Sequence, residues 1–244
     1  MIKNDWLKEE YFAHRGYHTL KEKIPENSLL AFQRAIDYGY AIECDIRLTK
    51  DHQVVVFHDA NLYRMCGVDQ MIEHSLFDEI NEYCLLDSNE KIPLLKELLN
   101  LVKGKVPLLI ELKTNKNAKT ISRALEKEMK NYFGLYAIQS FDPGVILWYK
   151  RNQPTVLRGQ IAQLDNEKKN RWLIRYMADR MILNIITKPH FINYKISDMP
   201  LKILDVIHKK GIPILAYTAK SQEDFDFVLK HYDNAMFEGF HPKK

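Results

Sequence analysis

The sequence predicts an α/β chain folded as a (β/α)8 TIM barrel, with a small insertion after the second strand region. Three observations lead there. Short apolar or β-branched runs alternate with longer amphipathic ones along the chain. About eight strands fit into the 244 residues with no linker between them, which suits one closed barrel better than two domains. An open doubly wound sheet would want a glycine-rich phosphate loop after a strand, and none is present.

In chain order the strand candidates are "EYFAH" (10–14), "AIECDIRL" (41–48), "VVVFH" (54–58), "PLLIELK" (107–113), "LYAIQSF" (135–141), "TVLRGQIA" (155–162), "RMILNII" (180–186), "PILAYTA" (213–219) and "NAMFEGF" (234–240). Helical patterns fall between most of them. The first, "SLLAFQRAIDY" over 28–38, sets Leu29, Phe32, Ala35 and Ile36 on one face, with Asn27 or Ser28 as N-cap and Gly39 ending it. Further helices are expected near 94–103, 117–131, 142–152, 166–178, 198–210 and 221–231. In "KKGIPILAYT" a glycine ends a helix and a buried strand follows. After the last strand an eighth helix is absent or replaced, and the N-terminal segment could close the bottom of the barrel.

Composition narrows the class. With 46% hydrophobic and 28% charged residues, the chain has the make-up of an ordinary globular protein. No apolar run of about eighteen residues occurs, and "MIKNDWLKEEYF" lacks the two halves of a signal peptide, so a cytoplasmic protein without membrane insertion is expected. Cys44, Cys66 and Cys84 read as reduced thiols. The net charge of +4 is small, and lysines sit among acids, as in "LEKEMKNY". That describes a solvated helix face and not a nucleic-acid surface.

In a barrel, function gathers where strands end. His14 and Arg15 close the first strand, Glu43 and Asp45 lie in the second, His58 follows "VVVF", and Glu111 and Lys113 close "PLLIELK". Side chains alternate along a strand, so Glu43 and Asp45 share one side while Cys44 and Ile46 take the other. Two acids so close repel, and desolvating them is costly without a cation or basic group. Hard oxygen ligands suit Mg2+ or Ca2+; the same pair could equally sit in water or against a lysine. Glu111 and Lys113 also share a side, either as a third metal oxygen beside an anion-binding cation or as a structural ion pair. Histidines can exchange protons near neutral pH, and His14 and His58 stand at two strand ends; the other seven have no comparable setting.

Together, "HRG" (14–16), "PENS" (25–28), "ECDIRLTKD" (43–51), "FHD" (57–59), "IPLLKELL" (92–99) and "LLIELK" (108–113) resemble the glycerophosphodiester phosphodiesterases in order and spacing. The likeness is strong over 10–113, while "IQSFDP" (138–143) and the segment near 209–218 extend it weakly. The resemblance implies a (β/α)8 barrel hydrolysing small glycerophosphodiesters with a divalent metal, and an insertion at about 60–92. It implies Glu43, Asp45 and Glu111 as ligands of Mg2+ or Ca2+, with Mn2+ also possible, and His14 and His58 as the acid and base. Arg15 and Lys113 would hold the phosphate, supported by Glu26 and Asn27. The family's C-terminal tryptophan–asparagine and threonine–aspartate pairs are replaced by "AYTAK" and "FEGFHP", and Tyr217 would stand in for the aromatic wall of the substrate pocket. The substrate alcohol is therefore less defined than the chemistry. Rival readings are a sphingomyelinase D-like or lysophospholipase D enzyme, and a non-catalytic phosphate-binding barrel.

Overall fold

The computed structural model describes residues 5–164 and 181–243. Nine strands are found among them: β1 (Phe12–Ala13), β2 (Ala41–Leu48), β3 (Val54–Val56), β4 (Leu108–Leu112), β5 (Tyr136–Ser140), β6 (Leu157–Ala162), β7 (Phe191–Lys195), β8 (Ile214–Ala219) and β9 (Asn234–Phe237). They hydrogen-bond in the order β1-β9-β8-β7-β6-β5-β4-β2-β3, and β1 also pairs β2. Without β3 this is the closed parallel sheet of a (β/α)8 barrel. Contacts divide the chain into two compact units, Phe12–Tyr136 and the remaining described residues.

In the first unit β2 is the organising strand. It runs parallel to β1 and β4 and antiparallel to β3. The expected run at 54–58 is therefore no barrel strand: Thr49, Asp51 and Gln53 close a tight turn, with the Thr49 hydroxyl donating to Asp51 at 2.6 Å and the Gln53 N–H donating to Thr49 Oγ1 at 2.9 Å. Chain reversal over so few residues forces a hairpin. Helix Leu29–Asp37 starts at Ser28, whose Oγ accepts from the Ala31 N–H, and it buries Ala31, Phe32 and Ala35. Residues 60–92 contribute two short helices, Tyr63–Cys66 and Phe77–Ile80. Leu62, Met65, Ile72 and Ile80 pack there into one cluster with Val55, Phe57 and Leu94.

In the second unit β5 to β9 pair in sequence. Gly159 is required by packing, since a Cβ there would lie 2.1 Å from the Phe191 ring. The run at 180–186 is a further correction, because residues 181–187 form a turn and the short helix Asn184–Thr187, and the strand is Phe191–Lys195. An apolar run alone does not separate strand from helix. The helix expected over 198–210 starts at Lys202, because the residue before Pro200 avoids helical dihedrals. The helix expected at 166–178 lies outside the described residues. Helix Trp6–Glu9 packs on the start of β9: the Asn234 side chain donates to the carbonyls of Leu7 (2.9 Å) and Glu10 (2.7 Å), and Lys8 pairs with Asp233. Among the described residues no helix is long and apolar enough to cross a membrane.

Candidate active site

The register of β2 against β4 aligns Asp45 with Glu111. Alternation then gathers Glu43 and Asp45 from one strand and Glu111 from its neighbour, all buried, with one oxygen of each within 4.8 Å of the others. β1 joins β2 with Ala13 opposite Ile42, so the following turn reaches the same carboxylates. The Arg15 N–H donates to Glu43 Oε2 at 3.0 Å and the Gly16 N–H to the Glu43 carbonyl at 3.2 Å. Gly16 adopts φ +80°, and a Cβ there would sit 3.0 Å from Ala31 and Phe32; only glycine brings the turn this close to the helix. His14, half-buried, stands between β1 and Arg15.

The basic groups are shared among the acids. Arg15 Nη1 donates to Glu26 Oε1 at 2.8 Å, and its Nε lies 3.3 Å from Asp45 Oδ2. Lys113 Nζ sits 2.6 Å from Glu111 Oε1 and 3.2 Å from Asp45 Oδ1. Both the metal-type cluster and the ion pair read from "IELK" are thus present in one place. Asn27, at φ +55°, donates through Nδ2 to Asp45 Oδ2 at 2.9 Å. Asp45 Oδ1 meets Lys113 as an ion pair without hydrogen-bond geometry.

Burial pushes all three acids up, but their surroundings separate them. Burial raises Glu43 well above the usual carboxylate range, and Asp45 and Glu111 add to it. Burial and Asp45 keep Glu111 raised although Lys113 opposes them. At Asp45 burial is outweighed by Lys113, His58 and Arg15, which hold it far below its ordinary value. Three carboxylates therefore crowd together, with Arg15 and Lys113 paired to Asp45 and Glu111 and Arg15 also bonded to Glu26. Hard oxygen donors so gathered, one with a buried oxygen lacking a hydrogen bond, fit a divalent cation such as Mg2+, Ca2+ or Mn2+.

An outer ring orders the histidine; sequence reasoning named Glu26 in it but gave no role to Asp59 or Arg64. His58 Nδ1 lies 2.6 Å from Asp59 Oδ1. Arg64 Nε donates to Asp59 Oδ2 at 2.6 Å, and its two Nη groups grip Glu26 at 3.0 and 2.7 Å. Glu26 thus joins Arg15 to Arg64 and, despite burial, is held below its ordinary range by these two arginines. Arg47 Nε donates to the His58 carbonyl at 2.8 Å. Only the adjacency in "FHD" hinted at Asp59; Arg64 lies in the irregular 60–92 segment, which offers no periodic signal. Burial, then Lys113 and Arg15, keep the His58 imidazole below its usual range against the pull of Asp45 and Asp59. Tyr217 belongs to the second unit, where its hydroxyl donates to the Ala162 carbonyl at 3.3 Å and its ring meets Phe141.

The model of the Glycerophosphoryl diester phosphodiesterase family matches residues 14–237. The chain belongs to that family. A glycerophosphodiester phosphodiesterase of Bacillus altitudinis is 24% identical over 242 residues, covering 94% of both chains. Lysophospholipase D GDPD1 of Rattus norvegicus is 38% identical over 120 residues, 44% of this chain and 37% of its own. Among solved structures, a phosphodiesterase of Oleispira antarctica in complex with the product sn-glycerol-3-phosphate superposes with a TM-score of 0.79 at 21% identity. That match covers 94% of this chain and 92% of the other.

Proposed function

We propose that this family member hydrolyses glycerophosphodiesters to sn-glycerol 3-phosphate and an alcohol, by two-histidine acid–base catalysis with a divalent cation on Glu43, Asp45 and Glu111. The observation that carries it is the convergence of those three buried acids from two strands, with Arg15 and Lys113 among them. A phosphodiester anion repels nucleophiles, so the site has to offset its charge and the charge that develops on its oxygens. A divalent cation would supply Lewis acidity and neutralisation there. Arg15 and Lys113 present N–H donors to the phosphate oxygens, Arg15 in bidentate fashion. Glu26 and Asn27 fix Arg15 and Asp45 for that task.

His58 and His14 move the protons. With Nδ1 committed to Asp59, His58 presents Nε2 to the reacting group, and its lowered pKa keeps the ring neutral and able to accept a proton. His14, at the end of β1, serves as its counterpart toward the departing alcohol.

The test follows release of sn-glycerol 3-phosphate from glycerophosphocholine and glycerophosphoethanolamine with Mg2+, Mn2+ or Ca2+, alongside lysophosphatidylcholine. Activity on the glycerophosphodiesters that is abolished by EDTA, and reduced by His14→Ala and His58→Ala about 10^2- to 10^4-fold, is expected. Turnover of lysophosphatidylcholine alone would move the substrate class to that of the rat relative. Activity surviving both histidine substitutions would contradict the mechanism.

A further inference from the structure

Four basic side chains lie in and around the acid cluster, and three of them are ion-paired. Arg15 is bonded to Glu26 and paired with Asp45, Lys113 is paired with Asp45 and Glu111, and Arg64 is bonded to Glu26 and Asp59. Arg47 has no carboxylate within ion-pair distance among the described residues. It lies two positions after Asp45 on β2, so its side chain leaves the strand on the side of Glu43 and Asp45. Its Nε donates to the His58 carbonyl at 2.8 Å, which fixes the plane of the guanidinium and leaves its terminal N–H groups for another acceptor. Arg47, together with His58, Asn61, Tyr63 and Arg64, borders an open surface pocket of about 760 Å³.

We propose that Arg47 is a substrate-binding residue that receives an oxyanion of the substrate on the His58 side of the site. The inference rests on the phosphodiesterase reading and adds a residue and a binding direction to it. A guanidinium anchored at one nitrogen loses little freedom on gripping an oxyanion, and its flat fork matches two oxygens at once. Two acids border the same pocket, but each is engaged: Asp59 with His58 and Arg64, and Asp69 as acceptor from Asn61 Nδ2 at 2.7 Å. The oxyanion can come from the reacting phosphate or from an acidic group on the alcohol.

Steady-state kinetics of wild type, R47Q, R47K and R47M separate these cases, with glycerophosphoethanolamine, glycerophosphoglycerol and glycerophosphoserine as substrates. R47Q is expected to raise KM about tenfold or more, with kcat within about threefold of wild type, and R47K to recover most of the loss. R47M, of similar length and without charge, takes the place of R47Q should that variant fail to fold. An equal rise for all three substrates assigns the phosphate; a rise confined to glycerophosphoserine assigns the carboxylate of the alcohol. Unchanged KM in the uncharged variants would overturn the proposal. So would an equal fall of kcat in R47K and R47Q at constant KM, which marks Arg47 as a mere support for His58. Wild type inactive on every glycerophosphodiester would overturn the phosphodiesterase reading itself, and this inference with it.

Discussion

The two units handle buried polarity in opposite ways. In Phe12–Tyr136 the charged positions of β2 and β4 are Glu43, Asp45, Arg47 and Glu111, with Lys113 directly after β4. In the second unit the buried polar positions on the strands include the amides Gln139, Gln160, Asn193 and Asn234. An amide can be served by the fold alone. Asn193 Nδ2 donates to Gln139 Oε1 at 2.9 Å, Gln160 Nε2 to the Ser140 and Phe141 carbonyls, and Asn234 to Leu7 and Glu10. Gln160 Oε1 and Asn193 Oδ1 stay without a hydrogen bond, yet they carry no net charge. Three buried carboxylates side by side are different, because like charges taken out of water together cost folding energy, and that is the cost the proposed cation would offset.

The largest effect expected from this contrast falls on the acids. Asp45→Asn should lower kcat/KM by about 10^3-fold or more, because it removes both a proposed metal ligand and the charge paired with Arg15 and Lys113. A rate within tenfold of wild type would erase the distinction between the units. Asn234→Ala should do the reverse: urea unfolding should show a loss of about 1–3 kcal/mol, from two donors taken away and two carbonyls left buried, with kcat close to wild type. Arg64→Ala takes one partner from Asp59 and one from Glu26, leaving their bonds to His58 and Arg15, and about a tenfold loss of kcat is expected from a less ordered His58. KM rising instead would give Arg64 a direct part in binding.

Glu43 gives the smallest signal and the sharpest sign. Its folded pKa lies above the unfolded one, so the stability it supports is complete below the unfolded value of about 4.3 and is lost as pH rises through the raised folded value. Metal-free Glu43→Gln should therefore melt higher than wild type at pH 8, with the difference vanishing toward pH 4. Equal melting temperatures at pH 8 would show that Glu43 is already neutralised by its neighbours.

Much of this was legible in the sequence, and the misses have physical reasons. The strand "AIECDIRL" is β2 as read, Ser28 caps its helix, and the same-side placement of Glu43 and Asp45 follows from pleating alone. The meeting of Asp45 with Glu111 depends on strand register, which no local pattern encodes. β3 was read as one of the alternating barrel strands because the apolar run outweighed the Thr49–Gln53 turn before it. The run at 180–186 was read as the strand that lies instead at β7, because Ile-rich runs suit helix and strand alike. Arg64 and Arg47 went unassigned because a charged residue on a single helical turn or near a strand end has the solvated state as its ordinary reading.

The central claim is that Glu43, Asp45 and Glu111 form one divalent-cation site. Calorimetric titration of Mn2+ into metal-free protein tests it most directly. The account predicts one ion bound per chain, with binding weakened strongly and separately by Glu43→Gln, Asp45→Asn and Glu111→Gln. Absence of binding, or binding that all three folded variants retain, would contradict it.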